Sequence, residues 1–213
     1  MENKNNFFNR QQNVNIDLSN KCSLKCPACS RETYFRTKGL KVPGGDISIE
    51  RFKKLVKFFK SVTLEGTYSD PVHHTSFIDL LKICKDYNKK VTVHHATGAK
   101  SKEWYIEAFE ANPYVRWIFA IDGLPEESKT YRINQDGPKL FDIMLESKKY
   151  LVNKPVWQYI VFSYNENSID AAVALAKEVD VEFYLLLSSR WVNNDDWLMP
   201  TKPEYRMIKS SAH

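Results

Sequence analysis

Three of the four cysteines in this 213-residue chain lie within eight consecutive positions. They are Cys22, Cys26 and Cys29, in the segment Cys-Ser-Leu-Lys-Cys-Pro-Ala-Cys. Three thiolates on one loop can hold three irons of a cubane iron–sulfur cluster and leave the fourth iron open to an outside ligand, whereas clusters that only transfer electrons usually use four cysteines. The spacing therefore predicts a cluster at which chemistry takes place.

The same cysteines are also compatible with other interpretations. With a histidine from the pair His73-His74 or the pair His94-His95, they can form a closed tetrahedral zinc site of the structural kind. A disulfide is disfavoured in a reducing compartment. Cys84 falls on the apolar face of a predicted helix, where we expect an ordinary buried thiol and no metal ligand.

Strand-like and helix-like segments alternate from Asn13 to Ser189. Apolar residues recur every second position in the β-branched and aromatic runs, and at i, i+3, i+4 and i+7 in the stretches between them. The predicted strands are Val14–Leu18, Ser61–Gly66, Lys90–Thr97, Val115–Gly123, Trp157–Tyr164 and Val181–Ser189. The predicted helices contain Phe52–Phe59, Phe77–Cys84, Trp104–Phe109, Leu140–Met144 and Ile169–Ala176. Ser76 and Asn167 are the predicted caps of the second and fifth helices.

These six strand–helix units occupy 177 residues, or about 30 residues each, which is the usual length of a βαβ repeat. The alternation predicts an α/β protein with a parallel sheet and right-handed crossovers. A complete eight-unit barrel needs about 250 residues. We therefore expect a partial (β/α)6 TIM-like barrel as a single domain over 1–189, followed by an irregular tail over 190–213 that is a candidate lid.

The composition limits the classes of function. Hydrophobic residues make up 43% of the chain and charged residues 27%, as in an ordinary globular protein. The net charge of +5 is spread along the chain, so a nucleic-acid partner is not expected. No apolar run approaches the roughly 20 residues of a membrane-spanning helix, and the polar amino terminus is unlike a secretory signal. These features predict a cytoplasmic protein without a membrane partner.

The cysteine spacing after a first strand resembles that of the radical S-adenosylmethionine (radical SAM) superfamily, whose mark is a C-x3-C-x2-C loop in a partial (β/α)6 barrel. The resemblance covers nearly the whole chain and implies that Cys22, Cys26 and Cys29 bind an oxygen-sensitive [4Fe-4S] cluster. In that family the free iron is chelated by the amino and carboxylate groups of S-adenosyl-L-methionine. One electron, from a donor such as flavodoxin or ferredoxin, then yields methionine and a 5′-deoxyadenosyl radical, which abstracts hydrogen from the substrate.

The segment after the second predicted strand carries two cofactor-binding candidates. Ser69 and Asp70 stand where the family usually carries Gly-Gly-Glu-Pro, whose backbone and carboxylate receive the methionine amino group. An aspartate can still accept a hydrogen bond from an ammonium group, although it reaches one methylene less. A simple turn before the next helix is the other interpretation of Ser-Asp-Pro.

The fourth and fifth predicted strands lead to three more candidates. Asp122, in Ala120-Ile-Asp-Gly, is similar to the family's Ser-x-Asp-Gly strand end near the ribose, with Ala120 in place of the serine. Arg132 stands where the family often has an arginine that pairs with the cofactor carboxylate, a contact that suits the guanidinium fork. Asn165 lies where related enzymes contact the adenine and ribose.

Two positions depart from the family pattern. Ala28 replaces a residue that is commonly aromatic and stacks near the adenine. His94 begins His-His-Ala-Thr-Gly where Thr-Asn-Gly is common. Strand alternation is expected to direct His94 into the barrel lumen, which makes it a substrate-side candidate.

The strand ends are nearest to the SPASM/peptide-modifying branch of the family, many members of which append cysteine-rich domains with auxiliary clusters. This chain has no cysteine after Cys84, so a single cluster is expected. The resemblance implies a peptide or small-molecule substrate. A noncatalytic zinc-stabilised module that binds peptide or RNA, and a degenerate radical SAM partner subunit, are the alternatives.

Overall fold

The computed structural model describes residues 13–188 and 196–206. Within these ranges six strands form a single sheet in which every pair is parallel, in the order β1 to β6 along the chain. The strands are β1 (Asn13–Asp17), β2 (Ser61–Glu65), β3 (Lys90–His95), β4 (Arg116–Ala120), β5 (Val156–Ile160) and β6 (Glu182–Leu186). The helices between them are α1 (Ile49–Phe58), α2 (Phe77–Asp86), α3 (Lys102–Ala111), α4 (Gly137–Ser147) and α5 (Ile169–Glu178). The predicted α/β partial barrel is confirmed.

Alternation along the strands separates a packed face from an inner face. The outward residues Leu64, Val93, Trp117, Phe119 and Trp157 are fully buried in the main apolar cluster beneath the helices. Residues one position away face the lumen instead, because successive side chains of a strand point to opposite sides. The helix-covered face stabilises the sheet and leaves the inner face available for a site.

The residues that cap the helices differ in part from the predicted caps. Ser48 and Ser101 accept hydrogen bonds from Arg51 N and Trp104 N at the starts of α1 and α3. Ser76 occupies the N-cap of α2, but its side chain makes no capping hydrogen bond. The cap of α5 is Ser168, one residue after the predicted Asn167.

The strands also end earlier than their apolar patterns suggest. The fifth predicted strand extends to Tyr164, whereas β5 ends at Ile160. Beyond it the chain turns, since Asn165 N donates to Phe162 O at 3.2 Å and Phe162 N donates to the Asn165 side chain. Phe162 is buried in this turn, which explains why hydrophobicity alone overestimates the strand.

The tail is described over residues 196–206, where it is irregular apart from a 3-10 turn at Pro203–Tyr205. Leu198 is buried, and Glu166 accepts hydrogen bonds from Thr201 N at 2.8 Å and Lys202 N at 3.1 Å. This part of the tail is therefore fixed to the loop after β5. Positions 190–195 and 207–213 of the predicted lid lie outside the described residues, and the lid itself stays a prediction. No helix in the described part of the chain has the length and apolarity to cross a membrane.

Candidate functional site

A cavity of 730 Å³ opens at the carboxyl ends of the strands, between the cysteine loop and the inner face of the sheet. This is the edge at which parallel α/β folds place their sites. Its volume lies in the range of about 300–1,000 Å³ that is usual for small-molecule and cofactor sites. The cavity lining includes Cys22, Cys26, Cys29, Ala28, Arg31, Glu65, Ser69, Asp70, His94, Ala120, Arg132 and Gln158.

The cysteine loop is a tight turn that continues into a short π-helix at Arg31–Arg36. Cys29 N donates to Cys26 O at 3.0 Å, and the Cys29 carbonyl accepts from Glu32 N and Thr33 N. The thiols of Cys22, Cys26 and Cys29 are free of disulfides and line the same cavity. These backbone hydrogen bonds close the turn, and its three cysteines line one common cavity.

On the side of β2, Arg31 joins the cysteine loop to the segment that carries Ser69 and Asp70. One guanidinium nitrogen, Nη1, donates to Asn20 O at 2.6 Å and to Tyr68 O at 2.9 Å. The backbone continues the contact, since Asp70 N donates to Lys21 O at 2.9 Å. The two loops therefore hold a fixed relative position.

On the opposite side, the cysteine loop is bonded to the loop after β4. Lys25 N donates to Ile133 O at 3.0 Å, and the Asn134 side-chain amide donates to Ser23 O at 3.2 Å. Asn134 has a positive φ of 74°, a conformation that asparagine tolerates better than most residues. Hydrogen bonds therefore hold the cysteine loop to the segment after β2 on one side and to the loop after β4 on the other.

The protein environment raises the pKa of two of the loop thiols, Cys22 and Cys26. Burial, with a further contribution from Asp70, raises the pKa of Cys22 to about 12. Burial also raises the pKa of Cys26, against the opposing effect of the nearby Arg132 guanidinium. Metals bind thiolates, so loading of this site is expected to release protons. Arg132 and Arg31 supply the positive charge that favours the thiolates of Cys26 and Cys22.

Asp17, the last residue of β1, holds the segment that follows β2. Its carboxylate accepts from Thr67 N at 2.9 Å, from Tyr68 N at 3.3 Å and from the Ser69 hydroxyl. The same turn requires Gly66, because an added Cβ would lie 1.8 Å from the Ser69 carbonyl oxygen. The structure places Ser69 at the cavity with its hydroxyl directed to Asp17.

Asp70 lies at the cavity wall and joins the ends of β2 and β3. Its Oδ2 accepts from Ala96 N at 2.7 Å and Thr97 N at 3.1 Å, and its Oδ1 accepts from Val72 N at 3.2 Å. Burial raises the pKa of Asp70 to about 6, although the backbone donors act in the opposite direction. Backbone amides therefore hold both oxygens of the carboxylate, while the residue still lines the cavity.

Asp122 and Arg132 form a buried ion pair. Arg132 Nε donates to Asp122 Oδ2 at 2.7 Å, and the side chains are 12% and 0% exposed. The second carboxylate oxygen accepts from Ile160 N at 2.9 Å. Within the described structure Arg132 lines the cavity and Asp122 lies behind it. Asp122 thus orients the arginine, and a direct contact of Asp122 with a cofactor stays a prediction.

Asn165 is fully buried and bonded to the backbone at the end of β5. Its Oδ1 accepts from Phe162 N at 2.7 Å, and its Nδ2 donates to Ile160 O at 3.0 Å. These contacts form the turn that ends the strand. The predicted role of Asn165 in binding adenine or ribose is not tested by this arrangement, which gives the side chain a local structural role.

Gln135 is a site-supporting residue that sequence reasoning misses. Its Nε2 donates to Ala96 O at 2.5 Å and to Ala120 O at 2.9 Å, and its Oε1 accepts from the Ser128 hydroxyl. A buried glutamine thereby joins the ends of β3 and β4. No motif marks it, and its only signal in the sequence is a polar residue shortly before a predicted helix.

The lumen below the cysteine loop carries polar side chains from three strands. His94 reaches the cavity from β3, as strand alternation predicts, and lies near Glu65 of β2 and within hydrogen-bonding reach of Gln158 of β5. Burial lowers the pKa of His94. Ala120 is aligned with Gln158 across β4 and β5. Its small side chain leaves space in the lumen beside Gln158.

Among the described residues, no three His, Cys, Asp or Glu side chains are gathered around one point closely enough to hold a single metal ion. That finding concerns single-ion sites. In a cubane cluster each thiolate binds a different iron, so its protein ligands do not converge on one ion.

The fold and the site together define a partial parallel barrel with a cysteine-lined cavity at the carboxyl ends of its strands. Solved structures of radical SAM enzymes have the same architecture. Streptococcus suis SuiB bound to S-adenosylmethionine superposes with a TM-score of 0.65 at 16% identity, covering 89% of this chain and 43% of SuiB. The chain therefore has the fold of the radical SAM superfamily, which confirms the fold predicted from the cysteine motif.

Two further structures extend this comparison. SuiB bound to the precursor peptide SuiA has a TM-score of 0.65 at 14% identity, with 81% of this chain and 38% of SuiB covered. Methylornithine synthase (PylB) has a TM-score of 0.62 at 14% identity, with 88% of this chain and 58% of PylB covered. The chain thus spans about two fifths of SuiB and less than two thirds of PylB. The sequence matches no family model and no curated protein.

Proposed function

We propose that this chain is a radical SAM enzyme in which Cys22, Cys26 and Cys29 bind one [4Fe-4S] cluster. The observation that carries the proposal is the placement of three disulfide-free thiols on one loop, all lining a 730 Å³ cavity at the carboxyl ends of a parallel partial barrel. The cluster, when bound, supplies the electron that cleaves S-adenosyl-L-methionine. The cavity leaves room for that cofactor beside the loop.

The residues around the loop would perform three tasks. Arg31 and Arg132 balance the negative charge of the thiolates, as their effects on the pKa of Cys22 and Cys26 indicate. Asp70, Ser69 and Arg132 line the cavity where the amino and carboxylate groups of the cofactor are expected. Asp122 acts as a positioning residue that holds Arg132.

An apolar wall favours radical chemistry at this place. Leu24, Ala96, Ala120 and Ile160 belong to a second apolar cluster that includes Cys26 and packs against Cys22 and Cys29. Such a wall excludes water and stray hydrogen donors, which a carbon radical requires. Phe162 and Tyr131 belong to the same cluster and stack on each other with ring centroids 4.3 Å apart.

We further propose a peptide substrate, which the likeness to SuiB bound to its precursor peptide supports. A flavodoxin or ferredoxin as electron donor, a cytoplasmic location and a cofactor contact by Asn165 also belong to this proposal. The electron donor and the Asn165 contact follow from the family resemblance, and the location follows from the amino-acid sequence.

The test is reconstitution of the purified protein with iron and sulfide under anaerobic conditions, followed by dithionite and S-adenosylmethionine. We expect close to four irons and four sulfides per chain, and 5′-deoxyadenosine detected by mass spectrometry. A fully loaded protein that binds the cofactor without cleaving it would instead be a degenerate partner subunit. Protein purified without oxygen that holds one zinc and no sulfide would be a zinc-stabilised module.

A further inference from the structure

The cavity has a second polar region, away from the cysteine loop. Glu65, the last residue of β2, and His94 of β3 follow directly on the paired residues Leu64 and Val93. Gln158 reaches the same region from β5, and all three side chains line the cavity. We call these three residues the lumen triad.

The charged side chains that line the cavity differ in how many hydrogen bonds and ion pairs they make within the protein. Arg31 donates to two backbone carbonyls, Arg132 is paired with Asp122, and Asp70 accepts from three backbone amides. Within the described part of the chain, the Glu65 carboxylate makes no hydrogen bond or ion pair. Glu65 is half-buried, so its charge faces a confined space in which electrostatic interactions are stronger than in bulk water.

The two neighbours of Glu65 add hydrogen-bond acceptors rather than positive charge. Burial lowers the pKa of His94 against the opposing effects of Glu65 and of a hydrogen bond with Gln158. This favours the neutral imidazole, in which one ring nitrogen accepts. Gln158 contributes a side-chain carbonyl oxygen. Arg31 and Arg132, the cationic wall residues, are bonded to the loops beside the cysteines.

We propose that the lumen triad is a substrate-recognition subsite that binds a cationic group, an alkylammonium or a guanidinium, such as the end of a lysine or arginine side chain. A carboxylate with two neutral acceptors matches the donors of these cations. The inference rests on the proposed function, because it assigns this end of the cavity to the substrate and the cysteine-loop end to S-adenosylmethionine.

The test measures binding, so it does not depend on turnover. Cluster-loaded protein is titrated with Nα-acetyl-lysine methylamide and Nα-acetyl-arginine methylamide, each beside the uncharged Nα-acetyl-norleucine methylamide, by ligand-observed NMR. We expect at least one cationic probe to bind about tenfold more tightly than the norleucine probe, the ratio that one charge-assisted hydrogen bond provides. Equal binding of all three probes would overturn the proposal.

Variants of Glu65 test whether the preference for a cationic probe arises at the lumen triad. Glu65→Gln is expected to reduce the cationic preference to less than about twofold and to leave the dissociation constant of S-adenosylmethionine unchanged. Glu65→Asp keeps the charge and is expected to retain part of the preference. Glu103→Gln, at an exposed carboxylate in the first turn of α3, is the matched control and should behave as wild type.

The outcomes separate the two proposals. If Glu65→Gln weakens binding of S-adenosylmethionine as much as binding of the cationic probe, Glu65 is a cofactor ligand and the subsite proposal is wrong. If wild-type protein forms no 5′-deoxyadenosine but keeps a cationic preference that depends on Glu65, the catalytic proposal fails and the cation subsite stands.

Discussion

The cysteine loop and the strand ends of β4 and β5 face the same cavity, but they use their polar side chains in opposite ways. The three thiols of the loop line the cavity, while the loop backbone and Arg31 make the contacts that hold it. At the strand ends, Asp122 and Asn165 are fully buried and direct their side chains to Arg132 and to the backbone. One region presents its polar groups to the cavity, and the other uses them to hold neighbouring segments of the protein together.

This difference separates effects on binding from effects on stability. Removing a cysteine of the loop should abolish metal binding at small cost to the fold. Removing a buried polar group at the strand ends should cost stability first, because its partner is left unsatisfied in the interior. Variants of the two regions should therefore differ in which quantity they change.

The largest effect is expected for Cys26→Ala. Without Cys26 one iron of the proposed cluster loses its thiolate, so the reconstituted protein should hold little iron or sulfide and form no 5′-deoxyadenosine. Cys84→Ala is the control, since Cys84 is fully buried in the main apolar core and should leave cluster loading intact. Iron and sulfide analysis of both variants provides the measurement. Equal loading of the Cys26 variant and wild type would contradict the assignment of the loop.

The sequence predicts the fold and the cysteine loop because both depend on local patterns. Alternating apolar residues define the strands of the parallel sheet, and the spacing of Cys22, Cys26 and Cys29 needs only neighbouring positions. Contacts such as Asp17 with Ser69 join residues 52 positions apart, and no local pattern reveals them. The same holds for Gln135, which bonds the ends of β3 and β4.

The sequence is weakest on the orientation of polar side chains at strand ends. Asp122 and Asn165 occupy positions at which the family resemblance implies ligands, and composition gives no means of telling a ligand from a buried support. The structure shows that Asp122 holds Arg132 from behind, and a direct contact of Asp122 with a cofactor stays a prediction. Glu65 and Gln158 belong to no recognised motif, and only their register across the sheet places them together.

Asp122→Asn should cause the largest loss of stability at the strand ends. It leaves Arg132, which is 12% exposed, without a counter-charge, and breaking a buried ion pair costs about 3 kcal/mol. Glu182→Gln is the control, since its partner Arg116 and Glu182 itself are 37% and 38% exposed, and such pairs contribute less than about 1 kcal/mol. Urea denaturation of the two variants measures the difference. Equal losses would mean that Asp122 does not act as a buried partner.

Asn165→Ala tests whether this side chain supports the fold or binds the cofactor. The change removes two hydrogen bonds and leaves Phe162 N and Ile160 O without that partner, which should lower the free energy of unfolding by about 2 kcal/mol. The exposed neighbour Asn167→Ala should lower it by less than about 0.5 kcal/mol. If Asn165→Ala is as stable as Asn167→Ala but binds S-adenosylmethionine much more weakly, Asn165 is a ligand and the contrast between the two regions fails at this position.

Ser69→Ala is expected to have the smallest effect. Ser69 lines the cavity, but its hydroxyl bonds to Asp17, whose carboxylate also accepts from Thr67 N and Tyr68 N. Losing one of three contacts should lower the free energy of unfolding by about 1 kcal/mol and change the dissociation constant of S-adenosylmethionine by less than about twofold. Thr67→Ala, at an exposed side chain of the same turn, should leave the free energy of unfolding unchanged. A stable Ser69→Ala variant with strongly weakened cofactor binding would instead show that the hydroxyl leaves Asp17 to contact the cofactor, and the segment after β2 would then present its polar groups as the cysteine loop does.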